Sequence, residues 1–384
     1  MQSPRTSRRW SWARSTPMDE ALPESDRLEG VPAPRETSVL FGQDKAASRF
    51  FEAAHADRLH HGWLITGPKG VGKATLAWRI ARYLLRSERD GPLNESDPLA
   101  MDPDAESFRK LASLGDPRLI LIRRPYDTEK KRLKTQITVE EVRKLNGFFH
   151  LSATDGSWRV AIVDSADEMN VSAANALLKI LEEPPKKTLI ILISHQPGKL
   201  LPTIRSRCRT LACEKLGPSD LAQALSHAGF EEMDRVASIS ELADGSVGEA
   251  MSLTQGGGQE LYQRIISVLG SLPSLDRTEA LAIADGCAGK GKEATYALTR
   301  HLLAVALNRM AKAGATGEPL NEAAPGEAEI FARLAPSPQM ARIWADLSQE
   351  LSARIAHGVA VNLDPSGLIL DTFLKVEATS ARIR

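Results

Sequence analysis

Only three cysteines occur in the 384 residues, Cys208, Cys213 and Cys287, and none belongs to a C-x-x-C pair. That excludes a disulfide framework and gives no support to a zinc knuckle. A reduced, cytoplasmic setting fits this usage. No apolar run approaches the roughly 18 residues that a membrane-crossing helix needs, so no membrane partner is expected. Neither charge is in excess: Lys+Arg and Asp+Glu both number 49. A chain without a global field is not drawn as a whole to nucleic acid or to anionic membrane. Any contact with DNA has to come from a local patch or from partners. The amino terminus lacks an apolar h-region, which argues against secretion.

What remains is ordinary globular usage, with 42% hydrophobic and 26% charged residues. The length suggests two or three domains, each able to bury a core. Residues 1–38 are rich in Ser, Pro, Arg and Glu with little periodic apolar content, and read as a disordered tail. The first seventeen residues carry four arginines and no acid, a pattern shared with organelle transit peptides. The plainer reading is a floppy tail, or a start placed too early with Met18 as the true beginning.

From Ser38 onward, apolar strands alternate with helical patterns, which means a parallel sheet covered on both faces. The strand Trp63-Leu64-Ile65 leads into Gly67-Pro68-Lys69-Gly70-Val71-Gly72-Lys73 and then a helix to about Arg86. Glycines at 67, 70 and 72 let backbone N–H groups close around phosphates, and Lys73 meets the outer ones. The pattern breaks at its last position. Ala74 stands where a hydroxyl would bind magnesium, so the loop is expected to be kept as architecture, with passive ATP or ADP binding as its most.

The stretch 158–210 holds the other parts. Val160-Ala161-Ile162-Val163 ends on Asp164, an acid placed to meet a phosphate-bound metal, and is followed by Ser165. A helix follows over Asn175–Glu183, stopped by Pro184-Pro185, then a buried strand over Thr188–Ser194. The run closes on Ser206-Arg207-Cys208, whose arginine could make a surface ion pair or reach a phosphate. Thr138-Val139-Glu140-Glu141 has capping-box spacing. Arg123-Arg124 with Lys130-Lys131-Arg132 and Lys134 form a basic cluster that reads as a solvated loop sooner than a DNA face. After Leu216 the strands stop and helical patterns run to the end, broken at Gly229, Gly245 and Gly256-Gly257-Gly258 and again near 313–327.

Gly67 to Lys73, the run NALLKILEEPP (Asn175–Pro185) and Ser206-Arg207-Cys208 together resemble the AAA+ clamp-loader family. The resemblance implies an α/β AAA+ P-loop domain over 39–215, a helical lid over 216–273 and an all-helical collar over 274–384. It implies that Arg207 acts as a finger on a neighbouring subunit's nucleotide, with Ser206 and Cys208 as its motif neighbours. It further implies ATP-binding gamma/tau subunits and a delta subunit as partners, and the sliding clamp and primed DNA through the assembly. An active loader ATPase would carry a hydroxyl at 74, a Glu at 165 and an arginine at 248. This chain has Ala74, Ser165 and Gly248. The three losses point to a stator that serves its neighbour's site, without polymerase or meaningful ATPase activity of its own. The alternative is an active AAA+ ATPase, either a gamma/tau-like subunit or a repair helicase loader. Relatives often carry four zinc-binding cysteines before the second strand; residues 87–118 contain none, so no zinc is expected.

Overall fold

A computed structural model describes residues 23–27, 31–56, 59–150, 157–230, 233–318 and 320–382. Its first domain opens with α1 (Asp44–His55), β1 (Gly62–Thr66) and α2 (Lys73–Leu85). Next come α3 (Glu106–Ala112), β2 (Leu119–Ile122) and a short hairpin of β3 (Tyr126–Asp127) and β4 (Arg132–Leu133). The domain continues through α4 (Val139–His150), β5 (Arg159–Val163) and α5 (Val171–Glu182). It ends with β6 (Thr188–Ser194), α6 (Pro202–Ser206) and β7 (Arg209–Ala212).

Five strands pair in parallel in the order β2-β5-β6-β1-β7. Their apolar runs supply both faces at once, because successive side chains point to opposite sides. Leu64, Ala161, Val163, Ile190 and Leu192 pack with Val142, Leu145 and Leu177 of α4 and α5. Trp63, Ile65, Ile162, Ile191 and Leu211 pack with Phe50, Leu76 and Ile80 of α1 and α2. The strand entering the phosphate loop and the strand ending at Asp164 are thus separated by β6. A parallel sheet covered by helices on both faces is the architecture that the resemblance implied. Helix α5 starts at Val171, earlier than the expected Asn175, because the Asn170 side chain accepts the Ala173 amide at 2.8 Å.

Nine helices complete the described chain. They are α7 (Pro218–His227), α8 (Met233–Ala243), α9 (Val247–Gln255), α10 (Gly258–Gly270), α11 (Arg277–Asp285), α12 (Glu293–Thr316), α13 (Glu327–Leu334), α14 (Pro338–Ala360) and α15 (Pro365–Arg382). The sequence placed α10 in the lid. In the structure its Tyr262 is fully buried and donates to Glu327 at 2.5 Å, while Arg333 bonds the carbonyls of Gly270 and Leu272. Helix α10 therefore packs as part of the collar, and the lid is α7 to α9.

The tail reading also needs correction. Residues 1–22 and 28–30 lie outside the described residues, but 23–27 and 31–38 are packed onto the domain. Ala33 is fully buried, and Arg35 bonds Glu24 at 2.6 Å and the Ala112 carbonyl at 3.0 Å. Ion pairs hold this stretch, which is why its lack of apolar periodicity misled. Among the described residues no helix is long and apolar enough to cross a membrane.

Candidate functional site

The phosphate loop joins β1 to α2 at the carboxyl edge of the sheet. Gly67 has φ 143°, and a Cβ there would stand 2.3 Å from the Cys213 carbonyl at the end of β7, so only glycine fits. Lys73 is buried and turns back on its own loop, donating to the carbonyls of Gly67, at 2.7 Å, and Pro68. Burial pulls its pKa down to about 8, although Cys213, Asp164 and Asp167 work in the other direction. Ala74 follows on the first turn of α2 and offers no hydroxyl.

The lid closes over this loop. Ser246 caps α9 and donates its hydroxyl to the Lys69 carbonyl at 2.9 Å, while the Gly248 amide donates to the Gly70 carbonyl at 3.1 Å. The fit is close on both sides. A Cβ on Gly70 would meet the Ser246 hydroxyl at 2.2 Å, and one on Gly248 would meet the Gly70 Cα at 2.9 Å. Any side chain at 248 would force the lid away from the loop, so the tight closure requires glycine there.

Asp164 ends β5 at the same edge, its amide bonded to the Ile122 carbonyl at 2.8 Å. Burial, and then nearby Asp26, push its carboxyl up to about 7 from an ordinary 3.8, with Lys73 opposing. Ser165 follows in the left-handed region at φ 60°, and its hydroxyl sits 3.2 Å from His195 Nε2. Sequence reasoning missed His195. It leaves the end of β6, between the strands that carry the loop and Asp164, and its place one residue past a buried strand was the available signal. Burial first, and then Lys73, pull its pKa down to about 4, so the imidazole is neutral near pH 7.

A raised carboxyl favours the fold in its protonated form. Its stabilising share is whole below about 3.8 and is lost as pH rises through about 7. Asp164→Asn in metal-free buffer should therefore gain on the order of 2–4 kcal/mol over wild type at pH 8. The gain should vanish near pH 4. Urea titrations at the two pH values measure it, and an equal difference at both would rule out burial of the charge as the cause.

Arg207 lies at the other edge of the sheet. A Cβ placed on Gly62, the first residue of β1, would meet the Arg207 carbonyl at 3.1 Å and the Cys208 sulfur at 3.3 Å. The phosphate loop leaves the last residue of that strand. Five residues at about 3.3 Å each put roughly 15 Å between the two edges. The guanidinium is partly exposed, paired with Glu182 at 2.9 Å and bonded to the Thr203 carbonyl at 3.1 Å. Ser206 is exposed and bonds the same carbonyl at 3.1 Å. Cys208 is half-buried, and burial pushes its thiol up to about 12. Of the sequence-selected residues, the structure brings Gly67, Lys69, Gly70, Gly72, Lys73 and Asp164 to one edge and leaves Ser206, Arg207 and Cys208 at the opposite one.

The basic cluster divides. Arg123 pairs with Glu24 and Asp26, and Arg124 with Glu168, whereas Lys130, Lys131, Arg132 and Lys134 are exposed on or beside the hairpin. His61 bonds the Leu181 carbonyl at 3.0 Å and stacks on His60, a structural use of both rings. Among the described residues no group of three or more His, Cys, Asp or Glu is placed to hold a metal ion.

Comparison with known proteins places this geometry. Residues 42–217 match the family model described as DNA polymerase III, delta subunit. The DNA polymerase III subunit delta' of Pseudomonas aeruginosa is 38% identical over 186 residues, covering 47% of this chain and 52% of that one. Its Bacillus subtilis namesake is 32% identical over 183 residues, covering 48% and 51%. The chain thus spans about half the length of these two relatives. The Escherichia coli subunit delta' aligns at 27% identity over 327 residues, covering 84% of this chain and 90% of its own.

Proposed function

We propose that this chain is a member of the delta' family of DNA polymerase III clamp-loader subunits, is the non-hydrolysing stator of a loader and lends Arg207 to a neighbour's ATP. The observation that carries this reading is the separation of the two motifs. Arg207 packs at the start of β1 and the phosphate loop leaves its end, so the arginine cannot serve the nucleotide pocket of its own chain. A partly exposed guanidinium at a corner can reach a pocket that an adjoining subunit presents. There it offsets the charge that develops on the transferring phosphoryl group.

The chain's own pocket lacks what hydrolysis needs. Ala74 cannot hold the magnesium that bridges the outer phosphates. Ser165, turned toward a neutral His195, cannot orient water as a glutamate would. Lys73 is engaged by its own loop. Supported by the names of its relatives, the chain would sit beside ATP-binding gamma/tau subunits and the delta subunit in the cytoplasm. The ATP-loaded assembly would open the sliding clamp and set it on primed DNA. In this reading the collar supplies the contacts that hold the subunits together.

The test is steady-state ATP turnover by the purified chain with magnesium and primed DNA. No turnover above background is expected. Turnover that Lys73→Ala abolishes would establish an active AAA+ ATPase instead.

A further inference from the structure

The chain ahead of α1 is fixed by charge, and its fixing point is the Asp164 corner. Arg35 bonds Glu24 at 2.6 Å, and Arg123 bonds the other oxygen of Glu24 at 2.6 Å and also Asp26. Arg82, buried in α2, holds the carbonyls of Arg35 and Thr37 and lies over the Phe108 ring at 4.0 Å. These contacts join residues up to 99 positions apart. The stretch is therefore seated on α2, α3 and the end of β2.

The register shows where that seat lies. Ile122 pairs with Val163, so Arg123 and Asp164 leave neighbouring strands side by side at the carboxyl edge. Asp26, held by Arg123, is brought to the same edge. Its side chain is 1% exposed, and its Oδ2 is buried without a hydrogen-bond partner. A carboxylate oxygen is thus enclosed at the corner where a triphosphate and its metal would approach Asp164. The Asp26 Oδ2, which Arg123 leaves without a partner, disfavours the entry of phosphate at that corner.

We propose that residues 23–27, clasped by Arg123 and Arg35, are an autoinhibitory cover that keeps nucleotide out of the chain's own pocket. This rests on the reading that the pocket does no hydrolysis, and it says what keeps the pocket shut. A lost hydroxyl at position 74 removes a metal ligand but leaves the phosphate loop itself intact. The cover acts on binding and not on chemistry.

Binding of fluorescent N-methylanthraniloyl ADP and ATP to the full chain, with and without magnesium, tests the cover. Asp26→Ala and Arg123→Ala should each tighten the Kd at least tenfold. Adding Lys73→Ala should cancel the gain, because the ligand then lacks its phosphate contact. Asp26→Asn keeps the shape without the charge and serves if Arg123→Ala unfolds; it should give a gain of the same direction. Unchanged binding in Asp26→Ala and Asp26→Asn would overturn the proposal. So would weaker magnesium-dependent binding in Asp26→Ala, which would make Asp26 a ligand. A wild-type chain that already binds as tightly as the variants would overturn it too. None of these outcomes bears on Arg207, whose role is read from clamp loading by the assembled complex.

Discussion

Arg207→Ala, assembled into a loader with gamma/tau and delta subunits, should depress clamp loading on primed DNA about a hundredfold or more, while Lys73→Ala changes it less than about twofold. Arginine fingers contribute roughly 10³–10⁵ in rate where they reach the transferring phosphoryl group, so a hundredfold loss is a lower bound. The guanidinium is free to make the move. Its pairing with Glu182 is partly exposed on both sides, and an exposed pair of this kind contributes about 0–1 kcal/mol. Exchanging Glu182 for a neighbour's phosphate therefore costs little. Arg207→Lys should recover only a small part of the rate, because an ammonium lacks the planar fork that meets two oxygens at once. Single-turnover ATP hydrolysis by the loader separates the effect on chemistry from an effect on assembly. Equal losses from Arg207→Ala and Lys73→Ala would contradict the division of labour.

The sheet and the loop were legible because each depends on short-range pattern. Continuous apolar runs such as Val160–Val163 and Leu189–Ile193 read as doubly covered strands, and the spacing from Gly67 to Lys73 fixes a turn between strand and helix. The opposite placement of Arg207 and Lys73 was not legible from spacing, since it requires the pairing of β7 with β1. His195 escaped notice because its partners, Ser165 and Asp167, lie about thirty residues away on another strand's loop. The stretch before α1 was misread for a similar reason. Polar composition signals disorder only when the charges have nowhere to pair, and here Arg35, Arg82 and Arg123 receive it. The lid boundary slipped because Gly256-Gly257-Gly258 and the turn after Gly270 look alike as helix breaks. Only the burial of Tyr262 against Glu327 assigns α10 to the collar.

That same glutamate gives the largest expected loss of stability in the collar. Glu327 is fully buried and accepts from Tyr262 at 2.5 Å, from Arg309 Nε at 2.8 Å and from the amides of Ala323 and Ala324 at 2.6 and 3.4 Å. Arg309 in turn reaches the Glu241 carbonyl of α8, which ties the lid to the collar. Glu327→Leu would leave a largely buried guanidinium and a buried phenol without their acceptor, and Tyr262 is already held far above its ordinary pKa by burial and by this acid. Removing one partner of a buried pair costs about 3–5 kcal/mol, whereas an apolar replacement of both can be nearly neutral. The double variant Glu327→Leu with Arg309→Met should therefore be more stable than Glu327→Leu alone. Urea titration followed by helical circular dichroism measures both. The exposed pair of Arg264 and Glu279 on α10 and α11 is the control, and breaking it with Glu279→Gln should change stability by less than about 1 kcal/mol. A loss below that figure for Glu327→Leu would mean that the collar is held by its apolar faces alone and that the lid is not anchored through Arg309.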